Sequence, residues 1–63
     1  MKVYLERTNE YKDVQAASVK EVLAQLKINP TTVLVAKNGQ LVTEGASVQD
    51  SDTIKIISVI SGG

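Results

Sequence analysis

The chain has no cysteine, no histidine, no phenylalanine and no tryptophan, and a single proline. Each absence removes a class of chemistry. Without Cys there is no disulfide framework, and without Cys or His there is no zinc site of thiolates or imidazoles. Cys-His and Ser-His-Asp catalysis lack their base. With two Tyr as the only aromatics, stacking platforms for single-stranded nucleic acid are missing too. Charge of one sign is also lacking: seven Lys+Arg stand against seven Asp+Glu. That balance does not suit a nucleic-acid binder, which needs a basic field, nor a polybasic membrane-surface segment. It argues against a generic electrostatic grip on any partner. The apolar stretches are far shorter than the roughly 20 residues of a membrane span. Met1-Lys2-Val3-Tyr4-Leu5-Glu6 lacks the apolar region of a signal peptide. A cytoplasmic, monomeric protein with no nucleic-acid or membrane partner is the expectation.

What is present is 63 residues with 43% hydrophobic content. The length allows one small domain of marginal stability. The composition is too apolar for a disordered tail, and the core must be aliphatic.

Periodicity orders the chain. Lys2 to Arg7 alternates, with Val3 and Leu5 on one face, and predicts a strand. Thr8-Asn9-Glu10 supplies a turn, with Asn9 tolerant of positive φ. Tyr11 to Gln15 is a weaker second strand, with Lys12 and Val14 on one side. Ser18 opens a helix, and Glu21 three residues on completes a capping box. Val19, Val22, Leu23 and Leu26 form one apolar stripe. Asn29-Pro30 is expected to end the helix. Thr32 to Lys37 is a third strand, apolar on both parities and so expected to be covered on both faces for part of its length. Asn38-Gly39 is a strong hairpin signal, and Gln40 to Thr43 returns. Asp50-Ser51-Asp52 is a turn, and Thr53 to Ile60 is the last strand.

One amphipathic helix needs one sheet face to cover. The pattern predicts an α+β fold, a β-grasp (ubiquitin-like) domain over residues 1–60. Its mixed sheet of four to five strands is covered by one helix, with the last strand parallel to the first in the middle. Residues 61–63, Ser-Gly-Gly, are expected to form a flexible C-terminal tail.

No residues suggest catalysis. Asp50 and Asp52 form the one close acidic pair, too few oxygens for a calcium loop. Asn38-Gly39 is not a phosphate loop. The chain is not expected to be an enzyme. The feature left over is the terminus. A Gly-Gly end is thin, free in its dihedrals and carries an unhindered carboxylate, so it can thread a partner's narrow channel and react there.

The chain resembles the ubiquitin-like sulfur carriers, the family of ThiS, MoaD and the small archaeal modifier proteins. The residues that carry the likeness are Val33-Leu34-Val35, Asn38-Gly39-Gln40-Leu41-Val42, Val48-Gln49-Asp50-Ser51-Asp52 and Ile60-Ser61-Gly62-Gly63. Ser51 stands where the family commonly has glycine. The lack of Phe on the exposed sheet face favours the ThiS-like or archaeal-modifier branch over MoaD. The resemblance implies a ubiquitin-activating-type partner that adenylates the Gly63 carboxylate beside Gly62. Sulfur transfer then makes a thiocarboxylate for thiamin, molybdopterin or tRNA thiolation. ATP and magnesium would belong to that partner, with no cofactor or metal bound by this chain. A downstream sulfur-accepting enzyme is the second partner implied. In modifier members the terminus instead forms an isopeptide bond to lysine targets. A non-covalent β-grasp interaction module, which never uses its terminus, is the reading from a different class.

Parity suggests where a partner docks. Ile54, Ile56, Ser58 and Ile60 are expected to face the helix, leaving Lys55, Ile57 and Val59 on the open face near Tyr4, with Ser61 at the tail's root. Contiguous exposed apolar residues mark interaction sites. A one-residue slip would exchange the two faces.

Overall fold

A computed structural model describes residues 1–59. Five strands form one sheet: β1 Lys2–Leu5, β2 Glu10–Asp13, β3 Val33–Lys37, β4 Gln40–Val42 and β5 Thr53–Ser58. The spatial order is β2-β1-β5-β3-β4. β1 and β5 pair parallel with Val3 beside Ile54, and every other pairing is antiparallel. The β-grasp expectation holds, including the last strand parallel to the first at the centre. The helix α1, Val19–Gln25, crosses one face.

The core is the aliphatic set that periodicity selects. Val3, Val19, Val22 and Ile54 are fully buried, with Met1, Val14, Leu23, Val35, Val48 and Ile56 around them. Val14 sits just past β2, two residues from Lys12 on the same side, so the short β2 still anchors its hairpin. Both strands of that hairpin are shorter than expected: the four-residue turn, Glu6 to Asn9, cuts β1 at Leu5, and β2 starts at Glu10 but stops at Asp13. Asn9 adopts φ 56° as its side chain permits, and Tyr4 Oη donates to its Oδ1 at 2.6 Å.

At the start of α1 the Ser18 hydroxyl accepts from the Glu21 N–H at 3.3 Å. The return bond departs from the expected capping box. Glu21 Oε2 accepts from the N–H of Ala17, not of Ser18. The next donors are met by a loop distant in sequence: Val19 N–H bonds Ala46 O and Lys20 N–H bonds Glu44 O, each at 3.0 Å. Helix termini leave such groups orphaned unless something caps them. Here the 44–48 segment does so, and Val48 buries its side chain in the core.

The helix ends earlier than Asn29-Pro30. Lys27 takes φ 57°, its N–H bonds Ala24 O, and the Ile28 N–H bonds Leu23 O at 2.9 Å. This double bond pattern is a Schellman motif, which satisfies the last carbonyls. Asn29 instead caps a short 3₁₀ turn, Pro30–Thr32, with its Oδ1 accepting from Thr31 N–H.

Asn38 and Gly39 have φ 51° and 86°, the signs a type I′ hairpin turn requires. The Asn38 side chain also ties two turns together. Its amide donates to Asp52 Oδ1 at 2.9 Å, and its Oδ1 accepts from Thr53 N–H at 3.0 Å. Asp52 Oδ2 accepts from Gln49 N–H at 2.8 Å. Ser51 needs no positive φ, so the serine in this turn carries no backbone strain.

Two stability predictions follow from these local geometries. Lys27→Gly should raise the unfolding free energy by ~0.5–1 kcal/mol. That is the left-handed penalty of ~1–2 kcal/mol less the ~0.5–1 kcal/mol of extra chain entropy glycine loses. Ala24→Gly, in the helix interior, should lower it by about 1 kcal/mol; urea denaturation of both variants checks the sign. The second concerns Asp52. The Asn38 side chain first, then the Gln49 N–H, with a smaller contribution from the Lys37 charge, hold its carboxyl below the ordinary value of 3.8. A lowered folded pKa means the stabilisation is present above that ordinary value and is lost as pH falls through the folded one. Acid titration of stability should be flatter below pH 3.8 for Asp52→Asn than for the wild type.

Candidate functional site

The sheet has one face under the helix and one without a cover. On β5, Ile54 and Ile56 point to the helix, and both are buried. Lys55 and Ile57 take the other side by the period-2 rule of strands. The expected parity is therefore correct and no slip exchanges the faces. Register extends the open face sideways. Tyr4 lies beside Lys55 and opposite Tyr11, Leu34 opposite Ile57, and Ala36 between Lys55 and Leu41.

The open face has two parts. At the β1–β2 side, the Tyr4 and Tyr11 rings meet with centroids 4.9 Å apart at 45°. The Lys2 ammonium lies 5.4 Å from the Tyr11 ring and the Lys55 ammonium 6.0 Å from the Tyr4 ring, within reach of cation–π attraction. Lys55 also pairs with Glu6 at 3.7 Å. Such an exposed pair contributes ~0–1 kcal/mol, so it orients Lys55 more than it holds the fold. At the β3–β4 side the face is aliphatic. Leu34 is 46% exposed, Leu41 65% and Val59 49%, with Ile57 half-buried among them.

Of the docking residues expected from sequence, Tyr4, Lys55 and Ile57 lie together on this face, with Val59 just past the end of β5. Ile60, Ser61, Gly62 and Gly63 lie outside the described residues. Leu34, Leu41 and Tyr11 were missed. β3, expected to be covered on both faces for part of its length, is so covered at Val35 on the helix side and at Ala36 on the other, while Leu34 stands in the open. The signal was available: the Asn38-Gly39 turn fixes the β3–β4 register, which sets Leu41 on the side of Ala36 and Leu34.

Among the described residues no three Asp, Glu, His or Cys side chains gather to hold a metal ion. The Asp52 carboxylate is taken up by Asn38 and Gln49. No helix among these residues is long and apolar enough to cross a membrane.

A model of the ThiS family matches residues 3–63, nearly the whole chain and the terminal Gly-Gly with it. The chain belongs to the ThiS family. Sulfur carrier protein TtuB of Thermus thermophilus is 38% identical to it over 66 aligned positions, covering all of both chains. The crystal structure of thiamine biosynthesis protein ThiS from Geobacter metallireducens superposes with a TM-score of 0.65 over all of both chains, at 24% identity. A solution structure of a thiamine biosynthesis protein from the same organism gives 0.62, at 25% identity over all of this chain and 88% of that one. These two show that the fold is shared. ThiS-type proteins are carriers and not catalysts.

If the exposed leucines serve contact and not folding, their loss should leave the domain intact. The double variant Leu34→Thr, Leu41→Thr should unfold within a few degrees of the wild type, because exposed substitutions change stability by ~0.5 kcal/mol or less. Thermal melts by circular dichroism check this.

Proposed function

We propose that this protein is a sulfur carrier whose cargo is attached at the carboxylate of Gly63. The observation that carries the reading is the family match through residues 62 and 63, joined to an uncovered apolar face on the strand that leads to them. A carrier needs an enzyme that activates it and a partner that accepts its sulfur. The open face of Tyr4, Leu34, Lys55, Ile57 and Val59, with Ser61 beyond it, is the docking surface for the activating enzyme.

The chemistry is acyl activation. A carboxylate is a poor electrophile and its oxygen a poor leaving group. In a ubiquitin-activating-type enzyme with ATP and magnesium, the Gly63 carboxylate oxygen attacks the α-phosphorus. Pyrophosphate leaves and an acyl-adenylate forms. Hydrosulfide, or its equivalent from a donor protein, then attacks the carbonyl carbon and displaces AMP, leaving a thiocarboxylate. Both nucleotide and metal belong to the enzyme. This chain supplies the handle and its positioning. Gly62 and Gly63 suit the task because neither has a Cβ to crowd a narrow channel or the attacked carbonyl. The product is a sulfur donor for thiamin, molybdopterin or tRNA thiolation.

Intact-mass spectrometry with the activating enzyme of its own host, ATP and magnesium tests the reading. An AMP adduct should appear, and on adding sulfide a mass shift of one oxygen-to-sulfur exchange. Deleting Gly63 should abolish both. Leu34→Asp should slow adenylation about tenfold, the effect of ~1.4 kcal/mol of lost contact, while the variant stays folded. An unchanged wild-type mass beside an active enzyme overturns the reading.

A further inference from the structure

A second surface lies on the helix side, at the end of the sheet from which β5 leaves. A groove of about 510 Å³ opens between the C-terminus of α1 and the β1–β2 hairpin. Its floor is apolar, made by Leu5, Leu26, Ile28 and Ile56. Leu5, Leu26 and Ile28 are only partly buried although they pack against the core, so the domain leaves them in the groove without a cover. Its rim is cationic. Arg7, Lys12 and Lys27 all line it, and no carboxylate does. Glu10 stands across from Leu5 on the same side of the sheet, so three cations outnumber the one nearby carboxylate and leave a local excess of positive charge. Lys27 is held there by the left-handed turn that ends the helix.

The groove also borders an open strand edge. β2 is the outermost strand. Met1 and Val14 exchange both backbone hydrogen bonds. Antiparallel pairs alternate, so by register Lys12 and Glu10 turn their N–H and C=O groups inward to β1. Tyr11 and Asp13 turn theirs outward, where no strand among the described residues meets them. An apolar trough beside unpaired backbone is the arrangement that accepts an extended peptide by strand addition.

We propose that the groove and the β2 edge are a docking site for an extended segment of a partner protein. That segment pairs its backbone with Tyr11 and Asp13. It lays branched apolar side chains on the Leu5–Leu26–Ile28 floor and sets carboxylates against Arg7, Lys12 and Lys27. The charge complement selects an acidic peptide, and the floor requires it to be apolar as well. The site is separate from the open face and involves no chemistry at Gly63.

The probe is a ten-residue synthetic peptide of consecutive Val and Ile followed by Asp and Glu. It is titrated into ¹⁵N-labelled protein without ATP or any activating enzyme, so the outcome is independent of carrier chemistry. The expected result is saturable amide shifts at Tyr11, Asp13 and residues 25–28. Binding should weaken about tenfold in the double variant Arg7→Glu, Lys12→Glu, and likewise when Lys replaces the acidic residues of the peptide, an arm that leaves the protein unaltered. Equal binding of the acidic and lysine peptides overturns the proposal. So do shifts confined to Tyr4, Leu34 and Ile57, and so does an absence of shifts. If sodium pyrophosphate alone reproduces the shifts and displaces the peptide, the groove is a free-anion site and the proposal fails.

Discussion

Val3 and Ile54 are register partners in the parallel pair β1–β5, and both are fully buried. That pairing joins two segments at opposite ends of the chain, so neither hairpin can make the sheet without it. A parallel pair needs a crossover of a dozen or more residues, and the helix with the β3–β4 hairpin supplies it. Because β5 is then central, its helix side is buried by Val19, Val22 and Leu23, and its other side must face outward. The placement of Lys55 and Ile57 in the open follows from the burial of Ile54 and Ile56. The strand that leads to the terminal residues is thus flanked by a paired strand on both edges.

One short helix cannot cover five strands. Seven residues make a helix ~10 Å long and ~10 Å wide, whereas outer strands spaced at ~4.8 Å intervals lie about 19 Å apart. The remainder of the helix side has to be dealt with in other ways. Towards the N-terminus of α1 the 44–48 segment fills the gap, capping Val19 and Lys20 and burying Val48. Towards its C-terminus nothing comparable fills it, and the space between Leu5 and Ile28 stays open. The groove is a consequence of fold economy, and its cationic rim is what turns leftover space into a candidate surface.

Much of this was legible in the residues. The alternation of Val3 and Leu5, the stripe from Val19 to Leu26, and the parity of β5 are local patterns, and the side each residue faces follows from them directly, although Leu5 and Leu26 are buried only in part. Asn9 and Asn38-Gly39 carry their own backbone preferences and take the conformations those preferences allow. The end of the helix was not legible, because Lys27 occupies a left-handed position that glycine usually marks. Nothing in a lysine announces that geometry; the hydrogen bonds from Lys27 to Ala24 and from Ile28 to Leu23 impose it. The partner of Glu21 was misjudged by one residue: its carboxylate accepts from Ala17, whose carbonyl is held by the Val48 N–H, a distant contact that local spacing cannot reveal. The unbroken apolar run Val33-Leu34-Val35-Ala36 implied cover on both faces for part of β3, which holds at Val35 and Ala36 but does not reach Leu34. An unbroken apolar run has two causes, cover on both faces or a face left for a partner, and the sequence alone does not separate them.

Net charge illustrates the same limit from the other side. A total of zero was a sound reason to set aside long-range steering by a uniform field, since that depends on the sum. It says nothing about where the charges stand. Glu6 is drawn to Lys55 on the open face and Asp52 to Asn38 at the far turn, while Arg7, Lys12 and Lys27 collect around one groove. Separation of sign over a few ångströms is invisible in a composition but decisive at a contact, where screening over ~8 Å in physiological salt leaves only neighbours to be felt. A small carrier that meets more than one partner benefits from that separation. Its open face offers aliphatic and aromatic contact, its groove offers cations over an apolar floor, and the two lie on opposite sides of the same central strand.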